Sequence, residues 1–133
     1  MPAYEGQRFD PPAAMARVDV RDPEIGSALT AVEMLIDSGV DVTVVPRTVV
    51  KQLGAKPVEG QPVEVVGFDG TRSSGPGVVL EMRFLGRVFR GRFLMAPLET
   101  GGLGRNVLNA RCPALNGPRL AWTMASSAGQ PPR

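Results

Sequence analysis

Apolar and polar residues alternate with a period of two over much of this chain, and that pattern predicts a mostly β protein. Ala16, Val18 and Val20 alternate with Arg17, Asp19 and Arg21, which reads as a half-buried strand. Asp22-Pro23-Glu24-Ile25-Gly26-Ser27 breaks it as a turn, Leu29 to Ile36 forms the next strand, and a short strand follows from Val42 to Val45. Pro46 can open a helix, and Val49, Val50 and Leu53 recur at helical spacing before Gly54, so one or two helical turns are expected there. Pro62 to Val66 returns to strand. Gly67-Phe68-Asp69-Gly70 then carries the Asp-Gly signature of a hairpin tip, with Phe68 carried outward.

The polar, glycine- and serine-rich segment from Thr71 to Gly77 is expected to be mobile. Beyond it Val78, Leu80, Met82 and Phe84 alternate with Val79, Glu81 and Arg83, and after Leu85-Gly86 a second strand runs to Met95. Gly101-Gly102 leads into a short helix near Asn106 to Arg111, Asn116-Gly117-Pro118 turns, and Arg119 to Met124 makes a last strand holding Trp122. Residues 1–15, with Pro2, Gly6, Pro11 and Pro12, read as a flexible arm; residues 125–133 read as a flexible tail. Residues 16–124 are the expected folded domain, mostly β and barrel-like.

Composition narrows the chemistry. The 133 residues, 43% of them apolar, suffice for one compact core and one lobe. The 15 basic and 13 acidic residues are too balanced to imply a nucleic-acid or membrane partner, and Arg83, Arg87, Arg90 and Arg92 suit a solvated face. With no histidine and one cysteine, Cys112, the chain cannot build a Ser/His triad, a Cys/His pair, a common zinc site or an internal disulfide. No metal or cofactor is expected, and Cys112 reads as a small buried residue. No apolar run approaches the roughly 20 residues of a membrane span, and Met1-Pro-Ala-Tyr-Glu-Gly lacks the basic and apolar regions of a signal peptide. The expectation is a soluble protein, cytoplasmic rather than secreted.

One acid stands out against this background. Within Val32 to Pro46, an apolar run delivers Asp37 onto a tight Ser38-Gly39 turn, and a second apolar run carries the chain away. Apolar flanks desolvate a carboxylate, so it is costly there unless it has a task. The small hydroxyl and the glycine supply hydrogen bonds and room for close backbone approach.

Four separated features line up with it. They are Asp37-Ser38-Gly39 with Asp41 and Thr43, the Gly67-Phe68-Asp69-Gly70 tip, Leu103-Gly104-Arg105-Asn106, and Leu115-Asn116-Gly117-Pro118. Together, and in this order, they resemble the retropepsin-like aspartic proteases over roughly Ala16 to Met124. The resemblance implies a closed β-barrel of the acid protease fold, one lobe per chain with one short C-terminal helix. It also implies a homodimer that hydrolyses extended peptides or unfolded protein with no cofactor.

Residue roles follow from the same resemblance. Asp37 would be the general acid/base, one from each subunit, because peptide hydrolysis by water needs both a base and an acid and one carboxylate is insufficient. The two would titrate as a pair. Ser38 would hydrogen-bond across the two-fold axis, and Gly39 would let substrate backbone pass close and accept its hydrogen bonds. Arg105 would pair with Asp41, and Thr43 would support the active-site loop. Val66, Gly67, Phe68, Asp69 and Gly70 would form a flap that closes over substrate. Val40, Val42, Val45 and Leu103 are expected to line an apolar cleft, and Trp122 to fill core or dimer interface. Departures from the family pattern include Ser38 for the commoner threonine, Val40 for alanine, and Gly102 where a second apolar residue is usual. The alternative is a non-catalytic dimerisation or peptide-binding module of the same fold.

Overall fold

The computed structural model describes residues 4–9, 11–67, 69–109, 113–116 and 121–124. In chain order the elements are β1 (Tyr4–Glu5), β2 (Ala13–Arg21), β3 (Ala28–Ile36), β4 (Val44–Pro46), α1 (Arg47–Leu53), β5 (Val58–Val66), β6 (Arg72–Phe84) and β7 (Arg87–Ala96). They continue with β8 (Gly101–Leu103), α2 (Arg105–Leu108), β9 (Pro113–Asn116) and β10 (Ala121–Met124). The protein is mostly β, as the alternating pattern predicts.

Eight strands form one sheet in the order β1-β2-β3-β8-β4-β7-β6-β5, and β2 pairs with β6 as well as with β3. Asp19↔Arg83, Val20↔Met82 and Arg21↔Glu81 make that additional ladder. Between β2 and β3 the register shifts at Val18/Val20, where Ala31 takes a φ of 56° and donates its N–H to Asp19 Oδ1 at 3.1 Å. Such a bulge sharpens the local twist of the strands. The inward residues of these strands meet in one core: Val18, Val20, Met34, Val45, Val50, Val78, Leu80, Met82, Phe84, Phe93 and Leu103 are all essentially inaccessible to solvent. α1 closes one side of it with Val49, Val50 and Leu53 and stops at Gly54, whose φ of 70° suits a left-handed cap that glycine adopts without a Cβ penalty.

Several expectations are corrected. The Thr71–Gly77 segment, expected to be mobile, belongs to β6 from Arg72 onward and pairs with β5 through Val63↔Gly75, Glu64↔Ser74, Val65↔Ser73 and Val66↔Arg72. Its polarity reflects exposure, since Arg72, Ser73 and Ser74 are all solvent-facing, and hydrogen-bonded backbone needs no apolar face. At Gly77 an added Cβ would lie 2.7 Å from Val63 Cγ2, so this glycine lets the two strands close together. β4 starts at Val44, two residues later than expected, and α2 spans Arg105–Leu108 instead of starting at Asn106 and running to Arg111. β9, not foreseen, pairs antiparallel with β10. Phe68, Cys112, Gly117, Pro118, Arg119 and the side chain of Trp122 lie outside the described residues. Among the described residues no helix is long and apolar enough to cross a membrane.

Candidate active site

The site is built where β3 runs out. β3 lies parallel to β8, with Ile36 opposite Leu103, and one residue further the Asp37 N–H donates to the Leu103 carbonyl at 3.1 Å. The strand pairing therefore fixes the backbone of Asp37 up to the last residue before the turn. The chain then bends back on itself, and the Gly39 N–H donates to Asp37 Oδ1 at 3.1 Å. This bond orients the carboxylate, which is half-buried and faces a cleft.

Behind the turn, the start of α2 holds the loop at four points. Arg105 N–H donates to the Val40 carbonyl at 2.9 Å, and Asn106 N–H to the Asp41 carbonyl at 3.0 Å. Arg105 Nη1 donates to the Ser38 carbonyl at 2.8 Å. Asn106 Oδ1 accepts both the Thr43 N–H, at 3.0 Å, and the Thr43 hydroxyl, at 2.8 Å. The same hydroxyl accepts the Gly104 N–H at 3.0 Å, so the fully buried Thr43 is satisfied as donor and acceptor. Gly104 makes this approach possible: a Cβ there would lie 2.6 Å from the Val42 carbonyl carbon and 2.9 Å from Thr43 N.

The expected ion pair of Arg105 with Asp41 is not what forms. Arg105 reaches the Ser38 carbonyl, and Asp41 Oδ1 accepts the Val66 N–H at 2.9 Å. Asp41 is thereby spent on the strand that leads into the Gly67 to Gly70 tip. A bridge between Val40 and Gly67 lies beside it, so the loop after Asp37 and the base of the Gly67 to Gly70 tip are joined twice. The tip itself is a tight turn, in which Gly67 N–H donates to the Thr71 carbonyl at 2.8 Å and Gly70, with φ 85°, donates to the Gly67 carbonyl at 2.9 Å. Thr71, through its hydroxyl and then its N–H, hydrogen-bonds Asp69 and holds that carboxyl below the usual aspartate range.

The cleft over Asp37 has a volume of about 470 Å³. Its walls include Leu35, Val40, Val44, Leu94, Met95 and Leu98, with Ser73 to Pro76 of β6 among them. Of the four residues expected to line it, Val40 does; Val45 and Leu103 are fully buried in the core, and Val42 is not in its wall. The one-residue alternation of β4 explains the exchange of Val45 for Val44. Gly102, close to Asp37 across the β3–β8 pairing, is also part of the wall; a Cβ there would sit 3.6 Å from Asp37 Oδ2, in ordinary contact. Arg47 lines the cleft too and was not singled out from the sequence, where it looks like any surface cation at a helix start. Nor was Asn106 given a role, although its place after Gly104-Arg105 was the available signal. Among the described residues, no group of three His, Cys, Asp or Glu side chains gathers to hold a metal ion.

A family model described as aspartyl protease matches residues 17–107, which contain every contact described above for this site. The chain belongs to the aspartyl protease family. Among solved structures, the EIAV protease complexed with the inhibitor HBY-793 matches with a TM-score of 0.55 and 21% identity, over 74% of this chain and 86% of that chain. At that identity the likeness concerns the fold. A search of curated proteins finds no match.

Proposed function

We propose that this family member is an aspartic endopeptidase that works as a homodimer of closed β-barrel lobes, with one Asp37 from each subunit in a shared site. The observation that carries the reading is Asp37 itself: a carboxylate at a strand end, oriented by the Gly39 N–H and facing an apolar cleft. Residues 17–107, which the family model matches, hold one such turn, and in this reading a second copy supplies the second acid. The pairing of β2 with both β3 and β6 supports barrel closure.

In this mechanism two carboxylates share one proton. The ionised Asp37 takes a proton from a water molecule, whose oxygen attacks the scissile carbonyl carbon. The protonated Asp37 gives its proton to the carbonyl oxygen, forming a neutral tetrahedral gem-diol. Collapse returns a proton from a diol hydroxyl to one carboxylate while the other protonates the departing amide nitrogen, and the C–N bond breaks. Ser38 holds the two turns together across the axis, and Gly39 leaves room for substrate backbone. The flap, Val66, Gly67, Phe68, Asp69 and Gly70, closes over an extended peptide and excludes water.

The test is cleavage of an unfolded protein by purified chain between about pH 4 and 7, with oligomeric state measured by light scattering. Asp37→Asn should lower turnover by about 10³-fold or more while the dimer persists. Cleavage retained in an intact Asp37→Asn dimer would overturn the proposal, and a stable dimer that binds peptides without cleaving them would identify a binding module instead.

A further inference from the structure

We infer that Arg47 makes the cleft selective for peptides carrying an acidic side chain to one side of the bond that Asp37 attacks; the inference rests on the proposed peptidase reading. Three observations meet at this residue. Arg47 is exposed and lines the cleft that Asp37 faces, among walls that are otherwise mostly apolar or neutral. Among the described residues it has no hydrogen-bond or ion-pair partner, while Arg8, Arg21, Arg72, Arg92 and Arg105 each have one; Arg17, Arg83 and Arg90 share this state but do not line the cleft.

The third observation is its place in the helix. Arg47 is the first residue of α1, Pro46 offers no side-chain cap, and the first turn holds no acidic residue. A cation at a helix N-terminus opposes the local dipole, so this position favours almost any neutral or acidic residue over arginine. Helix stability therefore does not account for Arg47. Once substrate and flap cover it, a guanidinium in an apolar wall binds a carboxylate in a forked, charge-assisted geometry that strengthens as water leaves. A two-fold dimer carries two such arginines, one toward each end of the cleft. The preferred substrate is therefore an extended peptide with an apolar centre and acidic residues flanking it.

The experiment uses the full chain and one apolar peptide series, differing only by Glu, Gln or Lys at single positions flanking the cleaved bond. At one of these positions Glu should be favoured over Lys by about tenfold or more in kcat/KM, chiefly through KM, and Arg47→Glu should invert that order. Arg47→Glu should also melt no lower than the parent chain, as its placement against the dipole requires. An unchanged Glu-to-Lys ratio in Arg47→Glu would overturn the inference. If no peptide is cleaved, binding of the same series by fluorescence anisotropy decides it: an Arg47-dependent order upholds the charge preference while the peptidase reading fails, and no order refutes both.

Discussion

Asn106 Oδ1 accepts two hydrogen bonds from one residue, the backbone N–H and the hydroxyl of Thr43, at 3.0 and 2.8 Å. This pair ties the loop that bears Asp37 to the first turn of α2, and it does so with a neutral amide. Asn106→Leu leaves two donors on Thr43 without an acceptor and should destabilise the fold by about 1–3 kcal/mol. Asn106→Asp keeps the acceptor and should recover most of that loss. Urea denaturation of the two variants measures the difference, and equal losses would show that the oxygen is not what matters.

The bonding of Asp41 sets a second expectation. Because its Oδ1 receives a backbone N–H from Val66 and not a guanidinium, the acceptor atom counts for more than the charge. Asp41→Asn should therefore cost well under the roughly 1–2 kcal/mol expected of Asp41→Ala. If Asn and Ala were equally damaging, an ion pair to Arg105 would be the better description.

Gly104 is predicted to tolerate no side chain. A methyl group there would press on the Val42 carbonyl and on Thr43 N, both backbone atoms that cannot turn aside. Gly104→Ala should cost about 1–3 kcal/mol or more and displace the turn that carries Asp37, lowering activity beyond what the loss of folded protein explains. Thermal melting beside specific activity, corrected for folded fraction, separates the two effects.

The flap tip should resist acid. Thr71 lowers the folded-state pKa of Asp69, so the unfolded chain binds its proton at a higher pH than the folded chain does. The stabilisation is therefore complete above the ordinary aspartate range and is lost as pH falls through the lower folded value. Carbon-detected NMR titration should find Asp69 still ionised where a free aspartate is half-protonated. Thr71→Val, which removes the hydroxyl, should move the titration back up, and a midpoint unaffected by Thr71→Val would rule out this origin.

Much of the fold was legible because each buried strand shows one apolar face: Val78, Leu80, Met82 and Phe84 alternate in sequence and all point into the core. The turn bearing Asp37 and the Gly67 to Gly70 tip were legible for a different reason, since glycine and aspartate carry turn chemistry in their own backbone preferences. The Arg72 to Gly77 part of β6 was not, because a strand exposed on its polar residues shows no alternation and resembles a loop in composition. Partner choice was also hidden. Arg105 had the Asp41 carboxylate and the Ser38 carbonyl as acceptors a few residues apart, and only the path of the loop selects between them. Val44 and Arg47 escaped notice because cleft walls belong to whichever face of a strand or helix turns inward, and a shift of one residue reverses it.

β6 also has a mechanical meaning. Its 13 residues begin at the flap tip, with Arg72, Ser73 and Ser74 in solvent, and end with Val78, Leu80, Met82 and Phe84 sealed in the core. One continuous strand is thus a compliant lever at one end and an anchored beam at the other, with Gly75 and Gly77 at the change between them. Parting the Val66 and Val40 contacts at one end of β6 would uncover Val65 and leave Val78, Leu80, Met82 and Phe84 sealed at the other, so a cover over Asp37 and the core share a strand without sharing their buried side chains.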